Sequence, residues 1–141
     1  MRHLESLEPG FRSQIEQLIL ATNAVTGRKW IVTAGRRTMA EQRAIYAQGR
    51  TKPGKVVSNA PAGFSAHNFG LAADLAPMME FGKQIDWDAP REMWKQMAAI
   101  AVEMGLTAGF YFKTIFDAPH VEHPSWKEKQ ALWKAGKLNV E

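Results

Sequence analysis

The sequence predicts a small α+β domain, an antiparallel sheet flanked by helices, with residues 1–141 as one unit. Three observations carry this. Apolar residues recur at helical spacing in well-separated blocks. Between the blocks stand short β-branched or apolar runs of strand length. The order, read loosely as helix, helix, strand, long loop, strand, helix, strand, helix, indicates an α+β domain with an antiparallel sheet.

Residues 8–25 form the first helix. Phe11, Ile15, Leu18, Ile19 and Thr22 share one face, Arg12, Gln14, Glu16 and Gln17 the other, and Gly27 ends it. Trp30-Ile31-Val32-Thr33-Ala34 is a buried strand bounded by Gly35. Thr38-Met39-Ala40-Glu41 is a capping box that opens a helix running through Tyr46 to Gly49. Gly49, Pro53, Gly54, Pro61 and Gly63 make residues 49–66 a long loop, and loops of that length in so small a domain are usually functional. Gly70 to Leu75 returns to strand. Asp88 caps a further helix with Pro90 in its first turn, and Met93, Met97, Ile100, Ala101 and Met104 form its buried stripe up to Gly105. The methionines read as core packing. The aromatic stretch 109–121, broken by Pro119, leads into a short strand at His120-Val121-Glu122. Ser125-Trp126-Lys127-Glu128 reads as a second capping box, opening a last helix that ends near Gly136.

Composition narrows the chemistry. Among 141 residues there is no cysteine, which excludes disulfide scaffolds, thiolate metal sites and cysteine nucleophiles. Any metal must be held by His, Asp or Glu. No run approaches the ~18 apolar residues of a membrane span. Residues 1–8 carry acids and no apolar core follows, so the reading is a chain without a signal peptide, cytoplasmic when synthesised. Lysines and arginines exceed acids by 18 to 14, partly at Arg36, Arg37, Arg43, Arg50, Lys52 and Lys55 and partly at Lys127, Lys129, Lys134 and Lys137. That excess suits anionic polymers in general or an ordinary solvated surface, and decides nothing alone.

Of four histidines, His3 is read as inert at the terminus. His67 and Asp74 stand seven apart in Ser65-Ala66-His67-Asn68-Phe69-Gly70-Leu71-Ala72-Ala73-Asp74. A single strand would separate their Cα atoms by roughly 23 Å and an unbroken helix by about 10 Å. A turn at Asn68-Phe69-Gly70 can bring them to one metal, because glycine reaches the positive φ of a reversal. In Asp117-Ala118-Pro119-His120-Val121-Glu122-His123, strand alternation puts His120 and Glu122 on one face and His123 on the other. His120 is then the natural third ligand, Glu122 a group that orients an imidazole, and His123 a hydrogen-bonded surface or hinge residue. Two His and one carboxylate leave a tetrahedral position for water, the arrangement of a catalytic zinc site.

Ser65-x-His67-x-x-Gly70-x-Ala72-x-Asp74 followed by Asp117-x-x-His120 resembles the signature of the peptidoglycan zinc peptidases. These are the D-alanyl-D-alanine carboxypeptidase and L-alanyl-D-glutamate endopeptidase group, related in fold to the hedgehog zinc domain. The wording from His67 to Leu75 is similar to the phage endolysin branch, and Gly35-Arg36-Arg37-Thr38 with Glu41-Gln42 resembles the family's Gly-x-Arg-Thr segment. The resemblance covers about residues 8–125. It implies that His67, Asp74 and His120 bind one Zn2+, that Asp117 is the general base, and that Arg37 stabilises an oxyanion or holds a substrate carboxylate. Ser65, Gln42 and Glu122 are the candidate substrate contacts. Whether Arg36 or Arg37 faces the site stays open, because Arg36 stands where the family often has an aromatic or aliphatic residue.

The implied function is hydrolysis of a peptide bond in the peptidoglycan stem peptide by a monomer, without nucleic acid or membrane insertion. An L-alanyl-D-glutamate endopeptidase, acting as a phage or prophage endolysin on the wall after release, is the leading reading. A D-alanyl-D-alanine carboxypeptidase and a non-catalytic zinc-fold binding module are the alternatives. Loop 49–64 is expected to form one wall of the cleft and Phe110, Tyr111 and Phe112 another.

Overall fold

A computed structural model describes residues 2–81 and 83–141; Met1 and Gly82 lie outside it. In chain order the elements are α1 (Arg2–Glu5), α2 (Pro9–Thr26), β1 (Trp30–Ala34), α3 (Met39–Ala47), a 3-10 turn (Ala66–Phe69), β2 (Ala72–Pro77), α4 (Arg91–Glu103), β3 (Thr107–Ala108), a second 3-10 turn (Gly109–Tyr111), β4 (His120–Glu122) and α5 (Trp126–Lys134). The expected α+β class is what the chain adopts, with a four-stranded, wholly antiparallel sheet of order β1-β2-β4-β3.

Strand alternation divides β2 between two tasks. Ala73 and Leu75 join the core, so Asp74 faces the other way. In the register between β2 and β4, Asp74 stands directly opposite His120 and Ala72 opposite Glu122. The Asp74 carboxylate and the His120 imidazole are therefore cross-strand neighbours. Behind the sheet, α2 packs on α4 and supplies Phe11, Ile15 and Leu18 to a core that includes Trp30, Leu75, Met97 and Val121. Burying each such apolar side chain is worth about 1.5–3 kcal/mol, and this holds β2 and β4 in place from the rear.

Local expectations fare unevenly. α2 ends on Gly27 at φ +68°, and Thr38 and Glu41 form the reciprocal capping box. Asp88 does not cap α4: Pro90 occupies the N-cap position, with no side-chain cap bond. The buried stripe of α4 is Trp94, Met97, Ala98 and Ala101, while Met93, Ile100 and Met104 are only partly buried. The face is rotated because the large indole of Trp94 packs edge-on against Trp30, with ring centroids 5.4 Å apart. Ser125 makes no cap bond either. Its φ/ψ of −68°/−6° is helical, whereas a capping hydroxyl needs extended backbone. No described helix is long and apolar enough to cross a membrane.

Candidate metal centre and active-site cleft

The turn before β2 builds the first half of the site. Ser65 caps the 3-10 turn through its Oγ, which accepts from the His67 N–H at 3.3 Å. Gly70 ends the turn at φ +71°, the left-handed conformation the reversal requires. His67 is thereby folded back over β2, with its Nε2 3.4 Å from Asp74 Oδ1. From β4, His120 brings Nδ1 to 3.3 Å from the same oxygen. One donor atom from each of His67, Asp74 and His120 lies within 4.8 Å of the others.

The outer nitrogens of both rings are already engaged. His67 Nδ1 is 2.8 Å from the Gly35 carbonyl oxygen, which can only accept, so that nitrogen carries the proton. His120 Nε2 is 2.7 Å from Glu122 Oε1 and donates to it. Each inner nitrogen then presents a lone pair toward a carboxylate oxygen. Three acceptors converging in this way require a cation, whether a metal or a proton. With metal–ligand bonds near 2 Å, donors separated by about 3–4 Å suit a tetrahedral ion. The residues fit a divalent zinc.

Electrostatics follow from the same contacts. Burial alone would lower the His120 pKa, but hydrogen bonds to Asp74 and Glu122, with their charges, outweigh it and push the group up to about 9. Burial raises the Asp74 carboxyl, yet the facing His120 and His67 rings overcome this and hold it well below the usual carboxylate range. Glu122 is likewise raised by burial and lowered more strongly by His120 and the Trp126 N–H, which donates to Oε2 at 2.7 Å. Asp117 behaves oppositely. Its carboxyl is raised by partial burial and by the charge of Asp74, and Oδ2 sits 4.0 Å from His120 Nδ1. With 48% of its side chain exposed, it can meet both solvent and substrate.

A cleft of about 620 Å³ opens over these groups. Arg37, Ser65 and Glu122 line it together with Asp117, and residues 56–60 and Phe64 supply the expected loop wall. Of the three aromatics expected opposite, only Phe112 lines the cleft. Phe110 is buried instead against Phe116 and Tyr111. The open question of the two arginines is answered by where they point. The exposed Arg36 donates from Nε to the Ser6 carbonyl oxygen at 3.0 Å, away from the cleft. Arg37 is fixed by its N–H to the His67 carbonyl (3.0 Å), by its carbonyl to Asn68 Nδ2 (3.0 Å) and by Nη1 to Gln42 Oε1 (2.9 Å). Burial lowers the Arg37 pKa, and Asp74 and Glu41 act against that.

Gln42 is not placed to touch substrate. It is completely buried, and its amide also donates to Ser58 Oγ and the Ala60 carbonyl, so it ties Arg37 to the loop wall. Glu122 reaches the cleft, but both its oxygens are engaged by His120 and Trp126. His123 accepts from the Ser125 N–H at 3.1 Å, meets Phe11 edge-on and lies outside the cleft lining. The sequence reading missed Asn68, Ile115 and Trp126. Asn68 has Asn-Phe-Gly turn wording as its signal, whereas nothing local marks Ile115.

Comparison with known proteins accords with this geometry. Residues 58–123, which contain every proposed metal ligand and Asp117, match the family described as D-alanyl-D-alanine carboxypeptidase. The peptidoglycan L-alanyl-D-glutamate endopeptidase CwlK of Bacillus subtilis is 37% identical over 109 residues, covering 72% of this chain and 65% of that protein. The match thus spans just under two thirds of that relative's length. Among solved structures, the Serratia marcescens L-Ala D-Glu endopeptidase ChiX superposes with a TM-score of 0.61 at 22% identity, covering 90% of this chain and 87% of that one. The vancomycin-resistance D,D-pentapeptidase VanY, solved in complex with Zn(II), gives 0.58 at 16% identity, covering 92% and 79%. By sequence over residues 58–123 and by fold over nearly the whole chain, this protein resembles the D-alanyl-D-alanine carboxypeptidase and L-alanyl-D-glutamate endopeptidase family of peptidoglycan peptidases.

Proposed function

We propose that the chain is a single catalytic unit, a zinc-dependent peptidase that hydrolyses the L-alanyl-D-glutamate bond of the peptidoglycan stem peptide. The observation that carries this is the convergence of His67 Nε2, Asp74 Oδ1 and His120 Nδ1 beside Asp117 at the floor of one cleft. Similarity to CwlK supports the choice of bond.

His67, Asp74 and His120 would hold one zinc ion, which when bound supplies Lewis acidity toward water and the scissile carbonyl. Asp117 then works as the base. Its carboxylate takes a proton from the attacking water on Oδ2 and returns it to the departing amine, and its raised pKa makes it a better acceptor than an ordinary aspartate. Arg37 sets its guanidinium against the negative charge that develops on the carbonyl oxygen. Gln42 and Asn68 fix the arginine, so little reorganisation is needed during reaction. Glu122 keeps His120 Nε2 occupied and its Nδ1 turned inward. Ser65 lines the cleft next to His67 and offers its hydroxyl to the peptide backbone.

The wording of residues 67–75 further supports the endolysin branch, with the protein acting as a monomer on the wall. A second reading, D-alanyl-D-alanine carboxypeptidase, is favoured by the description of the family matched over residues 58–123. Mass spectrometry of purified peptidoglycan digested with the zinc-loaded protein separates the two. New amino-terminal D-glutamate is expected. Release of D-alanine alone would replace the endopeptidase reading with the carboxypeptidase one, and an undigested wall would remove both.

A further inference from the structure

A second concavity, of about 430 Å³, adjoins the cleft and shares one residue with it, Asp117. Trp87, Ala89, Arg91, Trp94 and Phe116 line it together with the segment Asp117-Ala118-Pro119. Its walls are stiff. Trp87 is 55% exposed, but its ring lies within 9° of parallel to the buried Trp94 at 6.4 Å, and Trp94 is pinned by its indole N–H to the Ala89 carbonyl. The Arg91 guanidinium rests over two rings at once, Phe110 and Phe116, each 4.8 Å from the ring centroid. No carboxylate forms an ion pair with Arg91 among the described residues. Asp117 does not neutralise it either, since that carboxyl turns toward His120, and the arginine acting on it is Arg37.

A cation positioned by aromatic faces and lacking an anionic partner is prepared for an anion from outside. Position decides which anion. In the proposed function, on which this inference rests, Asp117 hands its proton to the departing amine. The amine-side fragment of the substrate therefore lies on the Asp117 side of the cleft. The concavity that shares Asp117 with the cleft is the one lined by Arg91. We propose that this chamber is a specificity subsite for the amine-side residue of the substrate, in which Arg91 receives a free side-branch carboxylate and Trp87 and Phe116 cover the adjoining methylenes. The substrate class is accordingly an acidic peptide with a carboxylate next to the scissile nitrogen. A peptide carrying a carboxamide there loses the ion pair.

Two matched stem peptides test this, one with the free carboxylate on the glutamyl residue and one with that group as the carboxamide, each offered to zinc-loaded protein. The acid is expected to be cleaved with a kcat/KM roughly two- to fivefold above the amide, the range for an exposed ion pair. In Arg91→Met, which keeps the apolar stem over the rings, the two peptides should converge, and Arg91→Lys should restore part of the difference. Calorimetric titration of the uncleavable amine-side fragments, acid and amide, reads the same preference without chemistry. Equal handling of both by the unaltered protein, or a preference that survives in Arg91→Met, overturns the subsite. If neither peptide is cleaved while the acidic fragment still binds through Arg91, the subsite stands and the proposed bond specificity falls.

Discussion

Metal binding should release a proton, and the structure says from where. In the metal-free protein His120 titrates near 9 because Asp74 and Glu122 together outweigh burial. At pH 7 the imidazolium is then favoured by about a hundred to one. A metal takes only the neutral ring, so loading at pH 7 must expel close to one proton from His120, at a cost of about 3 kcal/mol to the apparent affinity. Affinity should climb about tenfold per pH unit toward 9 and then flatten, whereas a histidine of ordinary pKa would flatten above 6.5. The assay is zinc titration calorimetry at pH 7 in buffers of different ionisation enthalpy, whose slope gives the proton number. A slope near one is expected; a slope of zero would refute the assignment of His120 as the charged partner of Asp74. The same contacts set metal-free stability. His120 has a raised pKa, so its contribution is complete below about 6.5 and disappears as pH rises through about 9. Asp74 has a lowered one, so its contribution is present above the usual 3.8 and is lost on acidification below that.

His67→Ala or His120→Ala should abolish zinc content and wall hydrolysis together, whereas Asp117→Asn should keep zinc, by elemental analysis, and lose roughly 10²–10⁴ in kcat. Retained activity in Asp117→Asn would dismiss it as the base. Glu122→Gln should weaken zinc about 10- to 100-fold and lower the proton count measured at pH 8, because the outer nitrogen of His120 loses its charged acceptor. Gly70→Ala places a Cβ at φ +71°, 2.5 Å from Arg36 Nη2. A loss of about 1–2 kcal/mol in denaturant unfolding should accompany reduced zinc occupancy, since the turn carries His67. An unchanged zinc affinity there would separate the turn from the site.

The parts of the molecule readable from sequence are those governed by local rules. Thr38 and Glu41 specify a capping box within four residues, Gly70 announces a reversal, and the Trp30–Ala34 run has the composition and length of a strand. The candidate metal triad is legible because His67 and Asp74 flank that reversal and His120 lies on a strand whose parity can be counted. What escaped depends on contacts between distant segments. Gln42 was expected at the substrate, but its burial follows from the way loop residues Ser58 and Ala60 fold over α3, which no local pattern encodes. Ser125 and Glu128 have the spacing of a cap, yet His123 takes the Ser125 N–H and the backbone is already helical at the serine. The outward turn of Arg36 depends on Ser6, thirty residues away. The stripe of α4 is rotated because Trp94 finds Trp30.

X-ray absorption at the zinc edge of the loaded protein, with metal stoichiometry from the same sample, examines the core of this account most directly. The account predicts one ion bound by two imidazole nitrogens, one carboxylate oxygen and one exchangeable oxygen from solvent, and loss of that spectrum in His120→Ala. An ion closed off by four protein donors, or a spectrum indifferent to the removal of His120, would contradict it.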